Sequence, residues 1–175
     1  MSSLPFAQSF DTEADALAAL RATGVIIGIV DCTTPPTDHF PELGMKIIAH
    51  RPCGLVAVNS LKLYQSPEQR IGCPILVDVL VERLKTKRPG NINMLAFLYR
   101  NQHLIPEEWK RYKGVGFTGT TVMWPDDSAF SDCNYMFAPL LYWQSGSWSI
   151  YMINLVDMMD AEHRLVISDE QQPTP

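Results

Sequence analysis

The sequence predicts an α+β protein: a mostly antiparallel sheet ending in a C-terminal three-strand meander, with three to four helices. Three observations support this. Apolar residues make up 46% of the 175 and charged residues only 19%, a composition that builds a packed core and excludes intrinsic disorder. The first half mixes helical spacing with β-branched runs. After Val115 the pattern turns to apolar and aromatic strands separated by turn residues.

The elements follow in chain order. Asp11 or Thr12 can cap a helix to Ala22, with Leu17 and Leu20 on its apolar side and Gly24 ending it. The continuous Val25–Val30 run reads as a buried strand. The stretch from Cys32 to Pro41 holds three prolines and makes a loop, and Asp31 before it can be a site carboxylate or cap the turn that opens it. Met45–Arg51 and Leu55–Tyr64 read as strands, and Ser66-Pro67 as the start of a loop. Pro74 suits the first position of a helix to about Arg88, with Leu76, Leu80 and Leu84 in one stripe. Val77, Val79 and Val81 also alternate as in a strand, so both readings stand. Pro89-Gly90 breaks the chain, and Asn91 can cap a helix over about Ile92–His103. Pro106 begins a short helical turn through Trp109. Strands are expected at Phe117–Trp124, Tyr135–Trp143 and Trp148–Leu155, with a polar loop at Pro125–Cys133 and a hairpin loop at Gln144–Ser147. Pro139 lacks an N–H, so its strand should be an edge or carry a bulge. Arg164–Ser168 suits a short final strand.

The length suits one domain over 1–168, or two lobes, 1–89 and 91–168, with the boundary at Pro89-Gly90; residues 169–175 read as a flexible tail. The opening residues lack a basic n-region and an unbroken apolar stretch, and the longest apolar runs are too short to span a membrane. Cys32, Cys53, Cys73 and Cys133 show no disulfide-framework spacing and read as reduced thiols. The expected compartment is the cytoplasm of a host cell, and no membrane partner is expected.

The net charge of −5 averages three unlike blocks. Residues 1–44 carry −5, residues 45–114 carry +7 and residues 115–175 carry −7. Acidic ends can steer the chain to a basic partner, or fold over the basic middle.

Several constellations could carry chemistry. His50-Arg-Pro-Cys53 has metal-clasp spacing, and Cys32, His39 or Cys73 could complete a set of ligands. A second close pair is missing, so no metal and no other cofactor is expected. Cys133 with His163 and Asp132 or Asp160, or Cys32 with His39 or His50, supplies the residue types of a thiol nucleophile and its base. Asp126, Asp127 and Asp132 share a loop without a calcium-loop pattern. Two basic clusters could bind anions: Arg83, Lys85, Lys87 and Arg88, then Lys110, Arg111 and Lys113 around Tyr112. The meander concentrates Trp124, Phe137, Tyr142, Trp143, Trp148 and Tyr151, residue types enriched at protein interfaces.

Residues Met94–Phe97, Leu104-Ile-Pro-Glu-Glu-Trp-Lys110, Gly119-Thr-Thr and Leu140–Trp143 followed by Trp148 resemble, in order and spacing, an uncharacterised bacterial domain of unknown function. That domain has an apolar helix, an Ile-Pro-x-x-Trp-Lys turn and an aromatic three-strand meander. The resemblance spans residues 94–155, departs in the longer loop after Trp124, and implies no activity.

No catalytic motif stands out, so the leading expectation is a small non-enzymatic interaction module. An inhibitor, an immunity protein or a phage or mobile-element accessory fits that description. It would bind a protein partner, or a second copy of itself, through the aromatic sheet face and the acidic ends. The alternatives are a cysteine- or carboxylate-dependent hydrolase, and a nucleic-acid binder using the clusters at 83–88 and 110–113.

Overall fold

The computed structural model describes residues 28–36, 44–124 and 135–168. The expected helix at 11–22, the loop at 125–133 and the tail lie outside them. Strand β1 (Ile29–Asp31) leads into the proline loop, where Asp31 Oδ1 accepts from the Thr33 N–H at 2.8 Å, the turn cap its position suggested. Strand β2 (Lys46–His50) follows. The run at 55–64 does not form one strand. It splits into β3 (Leu55–Ala57) and β4 (Leu61–Tyr64) around a 3-10 turn, closed by Ser60 Oγ donating to the Ala57 carbonyl at 2.7 Å. The split lets one segment change partners: β3 pairs antiparallel with β1, and β4 pairs elsewhere.

Ser66-Pro67 opens a single helical turn, α1 (Pro67–Arg70), rather than a loop. Ser66 and Gln69 close a reciprocal capping box there. The helix expected from Pro74 starts only at Val77. Ile75–Leu76 is a short strand, β5, and α2 runs Val77–Arg83 before tightening into a 3-10 turn. The first two amides of α2 donate to the carbonyls of Asp157 and Leu155, both at 3.0 Å. The chain then forms β6 (Arg88–Pro89) and α3 (Ile92–Arg100). Asn91 caps α3, its Oδ1 accepting from the amides of Asn93 and Met94. Ile92, Met94, Leu95 and Leu98 are the buried side of α3. The turn after Pro106 is 3-10 over Glu107–Arg111 and buries Trp109.

The remaining strands are β7 (Gly114–Gly116), β8 (Thr120–Met123), β9 (Met136–Gln144), β10 (Ser147–Asn154), β11 (Met158–Met159) and β12 (His163–Ser168). β9 and β10 form a hairpin whose turn residues, Ser145 and Gly146, have φ of 52° and 86°. Two positive φ values suit the right-handed strand twist.

The architecture corrects the expected one. The main sheet has eight strands in the order β2-β8-β9-β7-β12-β4, with β10 on β9 and β6 on β12. It is mixed, because β12 runs parallel to β7 with His163 opposite Gly114. It is not an antiparallel sheet ending in a separate three-strand meander. Strands from both sides of Pro89-Gly90 share it, and the helices among the described residues are three short ones. β12, expected as a short addition at the end, lies inside the sheet with β4 on one edge and β7 and β6 on the other. Its partners on β4 lie about a hundred positions earlier, a pairing that local alternation does not encode.

β7 and β8 lie along the same edge of β9. Between Gly116↔Leu140 and Val122↔Phe137, five residues of one strand face two of the other. The surplus, centred on Phe117-Thr118-Gly119, bulges out of the ladder. Pro139 sits opposite this bulge. It is therefore in an interior strand without removing a ladder donor, and its carbonyl accepts from the Phe117 N–H at 2.8 Å. The bulge brings Gly119 against Gly90, where the Gly119 N–H donates to the Gly90 carbonyl. A Cβ on Gly119 would lie 2.8 Å from the Pro89 oxygen and 2.9 Å from the Gly90 oxygen.

Successive residues of β9 serve opposite faces. Leu141 joins α3, Phe117, Trp109 and Trp148 in one core. Leu140 joins α2, Met159 and Leu165 in the other. No helix among the described residues is long and apolar enough to cross a membrane.

Candidate functional site

Two places gather polar chemistry against this frame. The first is a corner where the ends of β1, β2 and β3 meet the start of α3. Cys32 donates its N–H to the Gly54 carbonyl at 2.8 Å, and Cys53 donates its N–H to the Cys32 carbonyl at 3.1 Å. Both cysteines are buried in the same core cluster. Asn91 is fully buried beside them. Its Oδ1 is committed to capping α3, so its Nδ2 points the other way. That nitrogen lies 3.3 Å from the Cys32 carbonyl, 3.2 Å from the Arg51 carbonyl, 3.6 Å from Cys53 Sγ and 3.4 Å from His50 Nε2.

The His50 ring is held at both nitrogens: Nδ1 lies 3.0 Å from Thr120 Oγ1 and Nε2 lies 3.4 Å from the Asn91 nitrogen. Thr120 Oγ1 also accepts from the Ile92 amide at 3.1 Å. Burial pushes the His50 pKa down, which keeps the ring neutral. Asn93, two residues into the same helix start, donates to the carbonyls of Asp31 and Thr34, both at 2.8 Å. The two thiols are unlike. The Cys32 thiol holds the Cys53 pKa down by hydrogen bonding, against burial and with help from the Arg88 charge. The Cys32 pKa is pushed up by that same bond and by burial.

The second place is an open groove of about 670 Å³ over β9 and β10. Leu140, Tyr142, Ile153 and Tyr151 line it, with Met158 and Asp157 at one end and Lys113 and His163 at the other. His163 is buried and pairs through Nδ1 with Asp160 Oδ1 at 2.8 Å. Burial acts to raise the Asp160 pKa. The Glu162 amide, His163 and Lys113 outweigh it and hold the carboxyl below its usual range.

The six aromatic residues read as an interface do not share one exposed face. Trp148 is only 3% exposed and stacks edge-on with Trp143 at 5.3 Å in the α3 core. Trp124 and Phe137 are half-buried and meet edge-on at 6.2 Å. Tyr142 and Tyr151 lie over the groove, and Tyr151 is 63% exposed.

The basic clusters are largely engaged. Arg83 forms a two-pronged pair with Glu68 at 2.6 and 2.8 Å, and Lys85 pairs with Glu82. Lys110 pairs with Glu107 at 2.7 Å and lies 4.2 Å over the Trp143 ring. Arg111 packs over Tyr112 at 4.9 Å. Lys87, Arg88 and Lys113 are exposed.

Among the described residues no group of three His, Cys, Asp or Glu side chains gathers closely enough to hold a metal. His39, Asp126, Asp127, Asp132 and Cys133 lie outside the described residues. Sequence reasoning placed Asn91 as a helix cap but missed its nitrogen, whose acceptors on Cys32 and Arg51 are 59 and 40 positions away. It also missed Thr120 and Met158, which carried no spacing signal. No protein-family model, curated protein or solved structure matches the chain.

Proposed function

We propose that the protein is a non-enzymatic binding protein that takes up an extended segment of a partner polypeptide along β10. The partner's side chains would enter the groove beside Tyr151. The observation that carries this reading is the character of the edge. Among the described residues β10 pairs only with β9, and no charged residue occurs from Gln144 to Val156. The other strands with a single partner in the sheet, β2, β4 and β6, each carry a basic residue, and β6 also a proline, usual guards against strand addition. β10 has no lysine, proline or bulge. The Gln102 side chain takes the N–H and carbonyl of Trp148 and Asp157 takes the Asn154 N–H, so the stretch between them offers the backbone hydrogen bonds and the adjoining groove offers pockets for alternate side chains, which together make a strand-addition site. Lys113 at the groove's end favours an acidic side chain there. Free thiols at Cys32, Cys53 and Cys73 accord with a reducing compartment, so the cytoplasm belongs to this proposal.

A display library of short peptides panned on the protein tests the reading. Binders should shift the amide resonances of residues 147–154 and weaken at least tenfold on Tyr151→Lys, by about 1.4 kcal/mol or more. Binders that map elsewhere, or that ignore Tyr151→Lys, overturn it. A concentration-dependent dimer with those same amides protected would identify the incoming strand as a second copy of this chain. The hydrolase alternative gains nothing from the thiol corner, because both ring nitrogens of His50 are engaged by Thr120 and Asn91.

A further inference from the structure

We propose that Cys32 and Cys53 form a redox-active dithiol that closes to a disulfide by exchange with a small-molecule disulfide such as glutathione disulfide. The inference does not depend on the binding reading. The Cys53 N–H donates to the Cys32 carbonyl, so the two backbones are already paired. The Cys32 N–H donates in turn to the Gly54 carbonyl at 2.8 Å, so Cys53 and Gly54 together face Cys32 and the two cysteines are held in one tight turn. The side chains also lie in one core cluster. Asn91 holds the turn from below, through Cys32 O and Cys53 Sγ. Both cysteines are free thiols.

The pair has a built-in order of events. Cys53 is the more accessible, at 8% exposed against 0% for Cys32. Its thiolate is favoured by the Cys32 S–H and by the Arg88 charge. Cys53 therefore attacks first. A bond forms between Cys53 Sγ and one sulfur of the small disulfide, whose S–S bond breaks. The first glutathione thiolate leaves and takes up the proton Cys53 lost. Cys32 then gives its proton to solvent, attacks Cys53 Sγ and expels the second thiolate, which is protonated in turn. The protein loses two protons and two electrons, and one glutathione disulfide becomes two glutathione thiols.

The test equilibrates the full chain carrying Cys73→Ser and Cys133→Ser in buffers of varied reduced and oxidised glutathione. Acid quenching, alkylation and mass mapping follow. The expected product is about 2 Da lighter, with Cys32 and Cys53 joined in one cross-linked peptide. Cys32→Ser in that background should stop at a glutathione adduct on Cys53, and Cys53→Ser should leave Cys32 unmodified. The wild-type chain is mapped in parallel, so the outcome does not hang on the folding of any variant. The proposal fails if both thiols stay free at ratios that oxidise the urea-unfolded chain, or if the link forms only after unfolding. It also fails if the adduct forms on Cys32 first.

Discussion

Asn91 is the side chain whose removal should cost this fold most for its size. Its Oδ1 caps α3 and its Nδ2 satisfies carbonyls from the β1 and β2 ends. Asn91→Ala removes both functions. Loss of the cap costs about 1 kcal/mol. Cys32 O keeps its bond from the Cys53 amide, but Arg51 O loses its Asn91 donor, at about 1–3 kcal/mol. The sum is about 2–4 kcal/mol, which at a urea m-value of about 2 kcal/mol/M lowers the midpoint by about 1–2 M. Asn91→Ser separates the two functions. It keeps an N-cap oxygen and loses the nitrogen, so it should recover about 1 kcal/mol relative to alanine. Asn91→Asp keeps the cap acceptor but turns a buried negative charge toward two carbonyls, and should be no better than serine. Urea unfolding followed by the fluorescence of the buried Trp109 and Trp148 reads all three variants. An Asn91→Ser protein with the wild-type midpoint would show that the nitrogen ties nothing together. Equal midpoints for serine and alanine would remove the cap from the account.

Further perturbations separate other causes. Trp148→Ala should cost about 3–5 kcal/mol as a core truncation, while Tyr151→Ala should stay within about 0.5 kcal/mol; equal losses would mean the two faces of β10 are misassigned. Gly119→Ala forces a Cβ against two fixed carbonyl oxygens and should cost about 1–3 kcal/mol. Gly146→Ala meets nothing within 4 Å and should cost about 1–2 kcal/mol from its positive φ alone, with Gly146→Asn milder than alanine. Two-pronged pairing with Arg83 holds the Glu68 pKa down, from 4.5 to about 2. That contribution is present above pH 4.5 and is lost as the pH falls toward 2, so the stability gap between wild type and Glu68→Gln should narrow over that window. Both side chains are more than a third exposed, so 1 M salt should shrink the same gap at neutral pH; a gap indifferent to pH and salt would refute the pairing.

How much of this was legible depends on how far apart the interacting residues lie. Asn91 was readable as a cap because its acceptor role involves amides two and three positions on. Asp31 was readable as a turn cap for the same reason, and Ser145-Gly146 as a hairpin turn because its strands follow directly on either side. The 55–64 run was misread as one strand because nothing local shows that its halves have different partners, β1 and β12. Pro139 was read as an edge or bulge marker. It is interior only because the neighbouring strand bulges opposite it, which its own sequence does not show. The aromatic residues were grouped as one surface by composition, but alternation along β9 and β10 sends Trp143 and Trp148 to one core and Tyr142 and Tyr151 to the groove.

By itself, then, the sequence determined a packed core, the caps and turns, and the lack of charge along β10. Each is a property of neighbours within a few positions, where backbone geometry and hydrogen-bond reach are set by residue type. Only the tertiary structure decided that the sheet is mixed, that Trp148 lies inside, and that Cys32, Cys53 and Asn91 meet. Those pairings join short segments tens of positions apart. Which segments pair is settled by the burial that the whole chain achieves at once, not by any stretch of it alone.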